Sequence, residues 1–211
     1  MRINEIFKSI QGETSYAGTP CLFVRTTGCN LRCSWCDTAY AYDEGEDFSI
    51  DEIIRTLGKY DCRNVVITGG EPLLQEETPL LAEYLINNGY KVFVETNGSV
   101  DISGLHPEII KILDIKCPGS DMTEHIVWDN LNALTSIDEV KFIVSDYNDY
   151  VWAKSVIASH KLPDICTVLI APVFNRLDPK QIAEWIINDN LDVRLQLQLH
   201  KYIWGPDVRG V

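Results

Sequence analysis

CLFVRTTGCNLRCSWCDT, residues 21–38, decides how the rest of the chain is to be read. Its first part is apolar and rich in strand formers, the composition of a strand buried on both faces. Its second part places Cys29, Cys33 and Cys36 within eight residues, directly where that strand would end. A buried strand that delivers thiols from its C-terminal end is one unit of an α/β architecture, in which chemistry gathers on that rim.

Outward from this stretch the same unit recurs. Further strand-like runs are NVVITG (64–69), KVFVET (91–96), KILDIK (111–116), EVKFIV (139–144), TVLIAP (167–172) and VRLQLQL (193–199). Helices with start signals lie between them. Ser49-Ile50-Asp51-Glu52 is a capping box opening a helix to about Gly58. Thr78-Pro79 supplies an N-cap and first-turn proline to a helix ended by Gly89, and Asp178-Pro179 repeats the device. A full (β/α)₈ barrel takes about 250 residues, more than the 211 here. The expectation is therefore α/β: a trimmed, partial (open) TIM-like barrel of about six parallel strands. It forms a single domain over residues 1–211, with no linker or internal repeat.

Polar residues follow the strands: Arg25 to Cys29, then Thr68-Gly69-Gly70-Glu71-Pro72, then Glu95-Thr96-Asn97-Gly98. Asp114 and Lys116 close the fourth run, and Gln198 and His200 close the last. Lys141 stands mid-strand, where a buried lysine is unusual unless it faces a site. One polar face around the cysteines argues for a catalytic site.

Bulk composition narrows the function classes. A net charge of −13, from 31 acidic and 18 basic residues, repels phosphate backbones, and the cations are scattered singly. Direct nucleic-acid binding is not expected. No apolar run is long enough to span a bilayer, and MRINEIFKSIQGE carries charge where a signal peptide needs an apolar core. A cytoplasmic protein without membrane attachment is the expectation. Seven cysteines, an odd number without a secretory signal, make a disulfide framework a poor account. Cys21, Cys62, Cys117 and Cys166 read as small buried hydrophobes. The clustered three read as ligands, soft thiolates suited to iron. A structural zinc needs a fourth protein ligand, and one distant cysteine or histidine is not excluded as that ligand.

C-x3-C-x2-C after the first strand, with Gly69-Gly70-Glu71-Pro72 after the second, resembles the radical S-adenosylmethionine (SAM) superfamily. The resemblance implies a [4Fe–4S] cluster on Cys29, Cys33 and Cys36 whose fourth iron is left for SAM. Reductive cleavage of SAM then gives a 5′-deoxyadenosyl radical, so no protein residue is the reactive species. EIFKSIQGE (5–13), TGGEP, ETNG and QLHKYIWGPDVRGV (198–211) extend the resemblance, over essentially the whole chain, to the 7-carboxy-7-deazaguanine synthase family. That implies ring contraction of 6-carboxy-5,6,7,8-tetrahydropterin to 7-carboxy-7-deazaguanine with loss of ammonia, SAM being regenerated. Mg²⁺, an electron donor such as flavodoxin or ferredoxin, and a homodimer come with the family.

Carried over residue by residue, the resemblance makes Ile10, Gln11, Gly12, Glu13, Arg25, Thr68 and His200 substrate contacts. Asp37, Gly70, Glu71, Glu95, Asn97, Lys116 and Pro172 become cofactor contacts, and Thr38 a Mg²⁺ ligand. Glu71 is expected to accept from an ammonium. The sequence departs from the pattern in three places. QGEG reads QGET, Ser-Pro-Lys reads Asp114-Ile115-Lys116, and residues continue past Pro206, where some members offer a terminal carboxylate. Arg209 or Val211 is the expected replacement. A glycyl-radical-enzyme activating enzyme is the alternative reading. It accounts for the cysteines, Asp114 and Lys116 but leaves both terminal motifs unexplained.

Overall fold

The computed structural model describes residues 1–211. It contains one nine-stranded sheet, built from β1 (Arg2–Ile10), β2 (Pro20–Thr26), β3 (Glu46–Asp47), β4 (Asn64–Gly69), β5 (Lys91–Thr96), β6 (Ile110–Lys116), β7 (Glu139–Val144), β8 (Thr167–Pro172) and β9 (Arg194–Leu195). The spatial order is β3-β1-β2-β4-β5-β6-β7-β8-β9. Every pair from β2 to β9 is parallel, whereas β1 lies antiparallel to both β2 and β3. β3 and β9 remain unpaired with each other, so the barrel is open. Its six full-length parallel strands match the expected runs within a residue at either end.

The last expected strand needs correction, and the first segment of the chain needs an addition. VRLQLQL does not form a full strand: β9 holds two residues, and the chain then turns into the short helix α5 (Leu199–Ile203). His200 thus sits on a helix, not at a strand end. The segment 2–10 is itself a strand, although its partly exposed, mixed-polarity residues give no clean alternation.

α1 (Ile50–Leu57), α2 (Thr78–Asn87), α3 (Tyr147–His160) and α4 (Pro179–Asp189) cover the convex face. The capping box at Ser49 is present, its hydroxyl accepting from Glu52 N while the Glu52 carboxylate accepts from Ser49 N. Asp178 caps α4 as expected, accepting from Lys180 N. Thr78 does not cap α2: its hydroxyl donates to Pro72 O at 2.6 Å, and Glu77 occupies the cap position. α3 starts at Asp146, whose carboxylate accepts from the backbone of Asn148 and Asp149.

The strand period of two separates the two faces. On β2, Leu22 and Val24 pack under α1 and α2 with Ile53, Leu57, Leu81 and Leu85. The alternate residues Cys21 and Phe23 point into the barrel, where Val66, Phe93, Ile110 and Ile112 complete an apolar floor. One step further along each strand come Arg25, Thr68, Glu95, Asp114 and Lys141, which form a polar ring above that floor. Cys21, Cys117 and Cys166 are buried as expected; Cys62 is only half-buried, its thiol facing Pro20 O at 3.4 Å. No helix is long and apolar enough to cross a membrane.

Candidate active site

The polar ring lines a cavity of about 860 Å³ at the C-terminal ends of the parallel strands. Small-molecule sites run from roughly 300 to 1,000 Å³, so this one has room for a cofactor and a small substrate together. All three clustered cysteines line it, as do Ile10, Gln11, Gly12, Glu13, Arg25, Asp37, Thr38, Thr68, Gly70, Glu95, Asn97, Lys116, His200 and Arg209. Two called residues do not.

Glu71 is fully buried beneath the wall, where its carboxylate accepts from Asn97 N (2.6 Å), Thr96 Oγ1 (2.9 Å) and Leu73 N (3.0 Å). A carboxylate saturated by three donors has little left for an ammonium, and its role is to brace the turn that presents Asn97. Burial holds its pKa above the usual carboxylate value against those hydrogen bonds. Pro172 is buried behind the wall as well; its neighbour Val173 takes the lining position.

The cysteine loop is fixed from below and behind. A Cβ on Gly70 would come within 2.1 Å of Gly28 O and 2.8 Å of Cys29 Cβ, so only glycine lets the second strand's loop touch the first. Glu71 N donates to Gly28 O at 2.8 Å. Asn97 Nδ2 lies 3.7 Å from Cys29 Sγ and 3.2 Å from Asn30 Oδ1. Ser34 ties the loop to the turn after β6 through Gly119 O and Ser120 O. Burial pushes the Cys29 and Cys33 thiols up, and the Lys116 ammonium pulls both the other way.

The donor set fits an iron–sulfur cluster with one open corner. Three thiols come from one loop onto one cavity, and no other cysteine lines it. No three side chains of the His, Cys, Asp or Glu type converge on a single-ion point, as a preformed zinc site requires.

The residues expected to contact substrate line the same cavity. Arg25 is held by Glu5, whose Oε1 accepts from its Nε at 2.7 Å and from the Tyr40 hydroxyl at 3.1 Å. The guanidinium sits between the Phe7 and Tyr40 rings, which leaves its terminal nitrogens for an anion. Glu95, expected as a cofactor contact, lines the cavity and accepts from Gln11 Nε2 (3.2 Å) and Thr68 Oγ1 (3.1 Å), both expected substrate contacts. Glu13 is paired with Lys141 at 2.7 Å and accepts from Gln198 Nε2 at 2.8 Å. Burial would raise its pKa, but the Lys141 charge outweighs this and holds the carboxylate below its usual value. Burial keeps the His200 imidazole below its ordinary pKa, opposed by Glu13. Its ring packs on Gly12, where a Cβ would lie 2.0 Å from Nδ1.

The sequence departures resolve unequally. Thr14, in place of the family's glycine, has φ +66°, a left-handed conformation that a β-branched residue seldom adopts. Its hydroxyl partly offsets the strain by accepting from Tyr16 N at 3.1 Å. Asp114 lies 3.1 Å from Lys116 and 3.5 Å from Lys141, while its Oδ1 has no hydrogen-bond partner. Arg209, an expected substrate contact, lines the cavity with part of its guanidinium already engaged. Its guanidinium lies over the Tyr40 ring at 3.7 Å and pairs with Glu44 at 3.1 Å, so it straps residues 206–211 along the cavity mouth. Thr38 Oγ1 donates to Asp37 Oδ1, and Asp37 Oδ2 is taken by Lys201 at 2.5 Å. Burial would raise the Asp37 pKa, but Lys201 holds it far below the usual range.

Sequence reasoning had marked Lys141 as anomalous and missed Lys201, Glu5 and Tyr40. A lysine on a five-residue helix, a glutamate of an irregular first strand and a tyrosine on the 3₁₀ turn Ala39–Tyr42 carry no local signal of where they point.

Residues 23–114 match the model of the Radical SAM superfamily. The chain is 43% identical over 226 residues to the 7-carboxy-7-deazaguanine synthase of Koribacter versatilis, covering 100% of both. It is 46% identical over 214 residues to that of Chlorobaculum tepidum, covering 100% of this chain and 97% of the relative. Its fold superimposes on the crystal structure of QueE from Escherichia coli with a TM-score of 0.79 at 24% identity, covering 94% of each chain.

Proposed function

The chain belongs to the 7-carboxy-7-deazaguanine synthase family of radical SAM enzymes, and from that membership we propose how its cavity performs the ring contraction of 6-carboxy-5,6,7,8-tetrahydropterin. The observation that carries the reading is one cavity lined both by the three thiols and by Glu13, Arg25 and Glu95. Cys29, Cys33 and Cys36 would hold a [4Fe–4S] cluster, and Lys116, Asn97 and Gly70 would contact SAM. When bound there, that pair supplies reductive cleavage of a sulfonium, which yields a radical able to take hydrogen from carbon.

The remaining work belongs to the chain's own residues. Arg25, oriented by Glu5, holds the substrate carboxylate through its free nitrogens. Glu95 of the polar ring and Glu13 of the loop after β1 accept from the amino and ring N–H groups of the pterin. Gln11 and Thr68, both fixed on Glu95, and the backbone of Ile10 and Gly12 border the pterin edge. His200, whose imidazole burial holds below its ordinary pKa, closes the pocket against Gly12. The apolar floor of Phe23, Phe93 and Ile112 excludes water beneath the ring.

Mg²⁺ enters the same proposal on Thr38, whose hydroxyl lone pairs are hard oxygen donors, with waters and the substrate carboxylate supplying the rest. Asp37 is not among its ligands because Lys201 already neutralises it. A reducing, cytoplasmic setting suits seven free cysteines; a flavodoxin- or ferredoxin-type donor and a homodimer complete the proposal. The test is an anaerobic assay after iron–sulfide reconstitution, with SAM, Mg²⁺, reductant and the pterin. Formation of 7-carboxy-7-deazaguanine without stoichiometric SAM loss is expected. SAM cleavage that ignores the pterin sinks the substrate and favours an activating-enzyme role.

A further inference from the structure

Polar side chains cross the cavity as an unbroken series, contributed by parts of the chain far apart in sequence. At the cluster loop, Asp37 Oδ2 lies 2.5 Å from Lys201 Nζ and 3.3 Å from Gln198 Nε2. Lys201 Nζ also donates to Gln198 Oε1 at 2.9 Å. With its oxygen held by a cation, the amide has to turn its nitrogen toward the acids, and Nε2 donates to Glu13 Oε1 at 2.8 Å. The other Glu13 oxygen takes Lys141, which continues to Asp114 and Lys116.

Gln198 thus bonds at once to the residue read as a pterin contact and to the residue that follows Cys36. Lys201 sets which way round that amide sits. The ammonium is itself confined: it is 8% exposed and lies 5.5 Å from the Phe174 ring centroid. Backbone contacts hold the same junction, with Leu199 N donating to Gly12 O at 2.7 Å. When a ligand draws on Glu13, the shared amide has to redistribute between Glu13 and Asp37, and the cluster loop feels the change. Removing the ammonium frees the amide to flip and leaves two carboxylates facing one uncharged group.

We propose that Gln198 and Lys201 are positioning residues that couple occupancy of the pterin site at Glu13 to the set of the cysteine loop at Asp37. The inference rests on the pterin reading above. Coupling between two sites is reciprocal, so a loaded cluster and a bound pterin each alter the other by one factor.

The test compares the wild-type protein, Lys201→Met and Lys201→Arg, each with and without reconstituted cluster and SAM. Calorimetry gives the Kd of 6-carboxy-5,6,7,8-tetrahydropterin in both states, and electron paramagnetic resonance of the reduced cluster is recorded with and without pterin. For the wild type, cluster and SAM tighten pterin by about fivefold or more, the lower end of ordinary coupling, and pterin shifts the resonance. Lys201→Met still takes up iron and binds pterin, but its affinity ratio falls to near one and the resonance no longer responds. Lys201→Arg restores part of the ratio. Should Lys201→Met lose its iron, Gln198→Leu takes its place with the same expected pattern. A Lys201→Met or Gln198→Leu protein with the wild-type ratio overturns the coupling, as does a wild type whose pterin affinity is equal in both states. A wild type that binds no pterin in either state overturns the pterin reading and the coupling with it.

Discussion

Replacing Lys141 by methionine tests the charge logic of the cavity most directly. The ammonium is 8% exposed, lies 2.7 Å from Glu13 and 3.5 Å from Asp114, and those two side chains are 14% and 15% exposed. Methionine keeps much of the volume and removes the charge, leaving two facing carboxylates, one with an orphan oxygen already. Breaking a buried pair by deleting one partner costs about 3–5 kcal/mol. Because this pair opens onto a solvated cavity, the lower end applies, about 3 kcal/mol near neutral pH, and a chain of this size then loses roughly 6–12 °C in Tm.

The pH dependence has a definite sign. In the wild type the folded-state pKa of Glu13 is depressed, so its contribution to stability is present above the unfolded carboxylate value and is lost as pH falls through the folded one. Without Lys141 the burial that opposes ionisation is unbalanced, and the folded-state pKa rises above the unfolded value. The variant then gains stability as pH falls from 7 toward about 4.5, an ordinary carboxylate pKa, while the wild type does not. Thermal and urea unfolding of cluster-free protein across that range measures the gap. A Tm within about 2 °C of wild type at pH 7, less than about 1 kcal/mol on that scale, would refute the argument. So would a deficit that stays constant down to pH 4.5.

Three further outcomes follow from the geometry. Gly70→Ala forces the Gly28–Cys29 backbone outward, since a Cβ would overlap Gly28 O at 2.1 Å; reconstituted iron per chain falls well below wild type, and full iron loading would contradict the packing. Gly12→Ala displaces the His200 ring, because its Cβ would lie 2.0 Å from Nδ1. KM for the pterin rises about tenfold, which is about 1.4 kcal/mol, and an unchanged KM shows that the ring has no part in the pocket. Arg25→Lys keeps the charge but loses the planar fork aligned by Glu5, so KM rises by about tenfold or more. Wild-type kinetics in this variant would mean that the carboxylate is held elsewhere.

The six long parallel strands could be read from the chain because each is a continuous apolar run ended by polar residues. A barrel strand buried on both faces looks that way whatever its neighbours are. β1 escaped because a strand with half-exposed faces mixes polarity, and β9 was overread because alternation in RLQLQL continues after strand pairing stops. Among site residues, those at strand ends were visible since a buried strand has no other use for Arg25, Glu95 or Lys116. Glu71 misled for the opposite reason. Its neighbours Gly70 and Pro72 mark a turn, but sequence does not say whether a turn's carboxylate faces out to a ligand or in to Asn97 N. Lys201 was invisible because its partner Asp37 is 164 residues away.

The junction between the 11–14 loop and the 198–201 segment spans the side of the barrel that the sheet leaves open. Its hydrogen bond from Gln198 to Glu13 joins residues 185 apart. During synthesis Gln198 emerges only after all nine strands, and chains are made N-terminus first. The thiol loop, by contrast, can pack against Gly70 while most of the polypeptide is still to be made. The cysteine loop and the junction at Glu13 are therefore completed in sequence, the junction last. Until then the thiols stand in an unfinished vessel, open on the side that Gln198 later closes.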